Sequence, residues 1–221
     1  MEDRAYPVPM NRSLIIIPML LLPIGGPAAG PAADSLHLEA LLTKTIFHVD
    51  VIALDLWLGP ATVGEVRRVC TTSAPGEAPR DSLAAAVAAC RDAGIRMVLR
   101  RDVGLDRFLD GVITDMRRAR RAGLLGEEGF RVVSTGLPVW LAPLRAGGLH
   151  KGDRFLYRIA GDTLQTVVQR RDGDVVLDQT DVGAEHRRAL LGSLVAPGGG
   201  FADQLLGRLR RQVAEPSPQA R

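Results

Sequence analysis

Lys44, His48, Asp55 and Trp57 fall within one stretch, residues 43–58 (TKTIFHVDVIALDLWL), where side chains able to do chemistry are embedded in an apolar run. Lys44 is the only lysine before Lys151. Asp55 stands among apolar neighbours, and a buried carboxylate needs a partner, so it either pairs with an arginine or marks the polar end of a cleft. His48 reads as packed on a strand face or near an edge, and Trp57 as core or ligand platform. The stretch has no Gly or Pro and is rich in β-branched and aromatic residues, which favours a strand. Alternation puts Val49, Val51, Ala53, Asp55 and Trp57 on one face and Asp50, Ile52, Leu54 and Leu56 on the other. Both faces are largely apolar, so the reading is a strand inside a sheet and covered on both sides. A ligand held between that sheet and its covering helices would touch these side chains.

Other familiar chemistries find less support. His37, His48, His150 and His186 sit in no recognised catalytic context, and no G-x-S-x-G occurs. Gly198, Gly199 and Gly200 are not followed by the Lys-Ser/Thr of a phosphate loop. Cys70 and Cys90 are the only two cysteines, without a paired-His metal motif, so no metal or cofactor is expected. Oxidation would let the two cysteines close a loop, worth about 3 kcal/mol of unfolded-state entropy. The alternative is that Cys90 packs on a helix face with Leu83 and Val87. A net charge of +3, with Asp and Glu interspersed among Arg, argues against nucleic acid. Aromatics, at 4%, are too scarce for a base-stacking platform.

The elements that must position these groups follow from periodicity. Residues 36–42 form a short lead-in strand, and 62–69 are ambiguous between helix and strand. An Ala-rich helix capped by Asp81 or Ser82 runs toward Gly94, and 95–100 form a strand. Leu105, Phe108, Leu109, Val112 and Met116 recur at helical spacing up to Gly123, with arginines in the last turn that complement the helix dipole. Residues 127–149 are broken by Gly and Pro into short helical turns. Strands over 153–160, 163–170 and 175–181 are joined at Gly161-Asp162 and Asp172-Gly173, which are hairpin signals. Helices at 184–195 and 201–211 complete an α+β domain over residues 34–212.

At the N-terminus, Arg12 precedes an apolar run, 14–24, and then small residues with cleavage options after Ala28 or Ala32. This is the layout of a secretory leader over residues 1–33, too short to span a bilayer comfortably. The mature chain is therefore expected in the periplasm or secreted, with no transmembrane span. Residues 213–221 read as a disordered tail.

The ordered set FHVDVIALDLWL, MVLRRDVGLDRFLDGVITDMRRA, LHKGDRFLYRI, RDGDVVLDQ, EHRRALLGSLVAPGG and QLLGRL resembles the chalcone isomerase-like family between residues 38 and 209. The resemblance implies an open-faced β-sandwich, an antiparallel sheet with helices packed on one side around an apolar cleft. The family includes enzymes that cyclise chalcones, fatty-acid-binding relatives and bacterial members. Its cyclisation needs a cation and Tyr and Thr hydroxyls; its fatty-acid sites need a cation and a tyrosine at the head of an apolar slot. The family's strand arginine falls near Lys44 and its strand tyrosine on Ile52. A second tyrosine would fall near Asp106 or Arg107, so the isomerase constellation is not retained. Arg101 matches an "lRd" position, as a ligand contact or as a structural partner of Asp102 or Asp106.

The expectation is thus a non-catalytic, exported domain binding a fatty acid or other apolar small molecule. Lys44 would hold an acidic head group, with Val49, Val51, Asp55, Trp57 and Arg101 around the slot. Two alternatives stand beside it. One is an isomerase or lyase using Asp55 or His48 as base on an enone-type substrate. The other is a partner-binding envelope protein with a filled core.

Overall fold

The computed structural model describes residues 35–44, 49–72 and 80–214. Within them one antiparallel sheet runs in chain order, β1 (Leu36–Lys44), β2 (Val49–Leu58), β3 (Asp92–Leu99), β4 (Arg154–Ala160), β5 (Thr163–Gln169) and β6 (Val175–Val182). The helices are α1 (Pro60–Thr72), α2 (Arg80–Ala88), α3 (Leu105–Arg121), α4 (Glu127–Trp140), α5 (Ala184–Val195) and α6 (Ala202–Ala214). The expected leader, residues 1–33, lies outside the described residues, as does His48. So does the tail beyond Ala214, although α6 carries two residues of that stretch. Among the described residues no helix is long and apolar enough to cross a membrane.

The expected strand over 43–58 divides. Thr43 and Lys44 end β1, and β2 begins at Val49 and folds back antiparallel upon it. Nor is β2 covered on both sides. Ile52, Leu54, Leu56 and Leu58 are buried in the core, whereas Val51, Ala53, Asp55 and Trp57 are half-exposed. The apolar outer face gives β2 the pattern of a strand covered on both sides. Its exposed carbon is shielded by cross-strand pairing rather than by a second layer: the His37 and Trp57 rings stack with centroids 4.8 Å apart.

The buried face carries the core. Leucines of β1 and β2 pack with Val63 and Val66 of α1, Leu83 and Val87 of α2, and Leu205 and Leu209 of α6. Residues 62–69 are therefore helical, because their valines at i, i+3 and i+6 (Val63, Val66, Val69) must face the sheet. α2 stops at Ala88, short of Gly94, which lies inside β3 opposite Trp57. The stretch after Glu127 is one helix rather than short turns. Pro138 enters only its last turn, where it removes a single i→i−4 hydrogen bond just before the helix ends, and a 3-10 turn at Ala142–Leu144 follows.

Two buried ionic clusters tie the loops down. Asp153 accepts the His150 backbone N–H at 2.9 Å and the Arg170 guanidinium at 2.6 Å. Arg187 donates to the Ala89 and Cys90 carbonyls at 3.1 and 3.2 Å and pairs with Asp162 at 3.3 Å. Cys70 and Cys90 are free thiols, so the disulfide considered from sequence is not formed. The Cys90 sulfur instead accepts the Thr62 hydroxyl at 2.9 Å and donates to the Asp92 carbonyl at 3.1 Å.

Candidate functional site: an apolar cavity over β4–β6

Three helical stripes and one side of the sheet enclose a cavity. On α3, Phe108, Val112 and Met116 recur every fourth residue and project into it. On α4 the stripe is Val133, Leu137 and Trp140; on α5 it is His186, Ala189, Leu190 and Ser193. The floor is set by strand register. Tyr157 of β4 faces Thr166 of β5, which faces Gln179 of β6, and alternate residues place Leu164 and Leu177 beside them. Of the lining residues, Phe108, Met116, Leu164 and Ala189 are buried, and Trp140, Leu177, Gln179, Asp181 and His186 are half-buried.

A bulge decides which β6 residues take part. The β5–β6 pairing slips by one residue between Val168 and Gln169. Without that slip, Val176, Asp178 and Thr180 would lie opposite Val168, Thr166 and Leu164. With it, Leu177, Gln179 and Asp181 do.

The space is narrow, about 90 Å³. Typical ligand clefts measure about 300–1,000 Å³. The wall is overwhelmingly apolar, with a few polar atoms of unequal freedom. The Ser193 hydroxyl is spent on the Leu190 carbonyl at 2.8 Å, and the Gln179 amide donates to Asp181 at 2.8 Å. No described residue hydrogen-bonds the side-chain hydroxyl of Tyr157 or Thr166. Burial pushes the Tyr157 pKa far above the ordinary tyrosine value, so the group stays a neutral hydroxyl. His186 Nδ1 is buried without a partner, its ring 5.4 Å from that of Trp140. Leaving a buried polar group unpaired costs about 1–3 kcal/mol, so His186 Nδ1 favours a bound molecule that answers it.

The residues singled out from sequence lie elsewhere. Val51, Asp55 and Trp57 are on the open face of the sheet, opposite to the face that bears the cavity, and do not line it. Asp55 takes the arginine alternative: Arg96 Nε donates to it at 2.8 Å, and His37 Nε2 sits 3.3 Å from its other oxygen. Lys44 and Val49 pair with each other at the β1–β2 end, across the sheet from β4–β6. Arg101 is exposed. Its expected partners are engaged otherwise, Asp106 with Arg145 at 3.5 Å and Asp102 with the Lys151 backbone at 2.7 Å. His37, Glu39 and Asp55 place ligand atoms within 4.8 Å of one another, but arginines already answer both carboxylates, Arg96 on Asp55 and Arg208 on Glu39.

Sequence reasoning passed over Tyr157, Thr166, Gln179 and His186. For Tyr157 and Thr166 a signal existed: the Gly161-Asp162 hairpin sets them opposite each other, three residues either side of the Ala160–Thr163 pair.

No protein-family profile matches the chain, and no curated protein matches it. Among solved structures, a fatty-acid binding protein of Arabidopsis thaliana aligns with a TM-score of 0.54, at 9% identity, over 85% of this chain and 94% of that one. The fold is therefore chalcone isomerase-like, an open antiparallel sheet with helices, of class α+β.

Proposed function

We propose that the domain binds a lipid or other apolar small molecule in the cavity over β4–β6, without isomerase turnover. The observation that carries this is the wall itself, in which α3, α4 and α5 each direct an apolar stripe at the polar sheet rung Tyr157–Thr166–Gln179. The solved neighbour that binds fatty acids supports the same reading. Absence of turnover is argued from the positions that the family uses for hydroxyls. Ile52 is a buried core side chain, and Asp106 and Arg107 are exposed. Export by the 1–33 leader is part of the proposal and rests on the sequence layout alone.

Native mass spectrometry of protein purified from an exporting host tests the reading. The expected result is an adduct of lipid mass, removed by organic extraction and restored on adding lipid back. A bare protein that takes up no lipid would sink it. Steady turnover of a chalcone would sink the non-catalytic part separately. A second reading, a partner-binding protein with a closed core, draws on the small cavity volume of about 90 Å³. It predicts that bare mass, with helix α4 unmoved by any added lipid.

A further inference from the structure

We infer that the cavity selects a neutral ligand bearing an oxygen function, an alcohol, ketone or ester on an apolar body, over a fatty carboxylate. This deepens the proposed function and rests on it. Among the described lining residues the one fixed charge is the carboxylate of Asp181; the other titratable groups there are His186 and Tyr157. Among the arginines adjacent in sequence to lining residues, Arg107 and Arg117 are exposed and do not line the space. Arg187 is buried against Asp162 and the Ala89 and Cys90 carbonyls, and Arg188 lies 3.8 Å from Glu185. Arg154 and Arg158 alternate onto the opposite face of β4 from Tyr157.

A carboxylate entering this space would lose its hydration, meet no fixed cation among these groups and approach Asp181. A neutral oxygen avoids both penalties. It also finds complementary groups: the Tyr157 and Thr166 hydroxyls are cross-strand neighbours on one rung and have no described partner. Burial keeps the Tyr157 hydroxyl protonated, hence able to donate to a carbonyl or ether oxygen and to accept from an alcohol. The Gln179 carbonyl oxygen is also free to accept, since the amide nitrogen is the atom bonded to Asp181. The apolar helical stripes of α3 and α4 would hold the body of the ligand.

The test uses the delipidated full chain at pH 8 and a matched series, 1-hexadecanol, methyl hexadecanoate and hexadecanoate, with hexadecane as the hydrocarbon reference. Binding is read by calorimetry. The expected order places the alcohol and ester at least tenfold tighter than the carboxylate. In a Tyr157→Phe/Thr166→Val double variant the alcohol loses at least fivefold in affinity while hexadecane is unchanged. Asp181→Asn tightens hexadecanoate at least threefold. Hexadecanoate binding as tightly as the alcohol overturns the inference and leaves the lipid-binding reading standing, as does an alcohol indifferent to loss of both hydroxyls. Failure of all four molecules to bind overturns both.

Discussion

The same rung of the sheet behaves differently at its two ends. On β1, β2 and β3 it is Leu38, Leu56 and Ile95, each 2% exposed or less. On β4, β5 and β6 it is Tyr157, Thr166 and Gln179, all half-buried around a cavity. The cover explains the difference. At the first end, valines and leucines of α1, α2 and α6 fill the space against branched strand residues, and the buried Thr62 hydroxyl among them is bonded to the Cys90 sulfur. At the second end the sheet presents hydroxyl and amide groups, which a helix cannot bury tightly without bonding them. Stability is thus concentrated in one half, and room for a ligand in the other.

The largest effect should come from the packed half. Leu56→Ala removes a side chain that is 0% exposed and leaves a void that its neighbours cannot fill. It should cost about 2–5 kcal/mol in urea unfolding. Leu177→Ala on the cavity wall, where space already exists, should cost under about half as much. Equal costs would erase the distinction between the two halves.

Filling the cavity should separate binding from stability. Val112 sits one helical turn from both Phe108 and Met116 and is half-buried beside the space. Val112→Trp should reduce lipid affinity at least tenfold while changing stability by no more than about 1–3 kcal/mol. Retained affinity in a folded variant would move the ligand site away from this wall. A subtler probe is Gly136, whose bare face lies against the Trp140 ring. A methyl group there would meet that ring directly. Gly136→Ala should therefore shift the Trp140 emission and weaken binding a few-fold. Helix propensity alone would favour the alanine by about 1 kcal/mol, so lower affinity without lower stability is the signature sought.

The sequence disclosed the fold through local signals that the tertiary structure left intact. The α3 stripe, the two glycine hairpins and the three closing strands all lie where periodicity and turn chemistry put them. The site was less legible because it depends on register between segments. The first hairpin makes Tyr157 opposite Thr166 a matter of counting. The bulge at Gln169, which turns Gln179 and Asp181 inward, has no comparable local mark. Within residues 43–58, the apolar outer face of β2 resembles a buried one. Nothing within a single strand says which of two similar faces receives the helices. Trp57 and Asp55 looked like parts of a cleft for that reason. Their neighbours in space, His37 and Arg96, come from adjoining strands.

The smallest expected effect is on that open face. Arg96 is half-exposed, so its pair with Asp55 is screened by water, and Asp55→Ala should change stability by no more than about 1 kcal/mol. Trp57 has more to lose, because Arg96 also lies 5.8 Å from its ring centroid and His37 stacks upon it. Neither Asp55→Ala nor Trp57→Phe should alter affinity for any apolar ligand, since a β-sheet separates both side chains from the cavity. Parallel titrations of the two variants with hexadecanol would decide the point. A loss of more than threefold in either would mean that the sheet's open face, not the seam beneath α3–α5, receives the ligand. The comparison between the two ends of the rung would then describe packing alone.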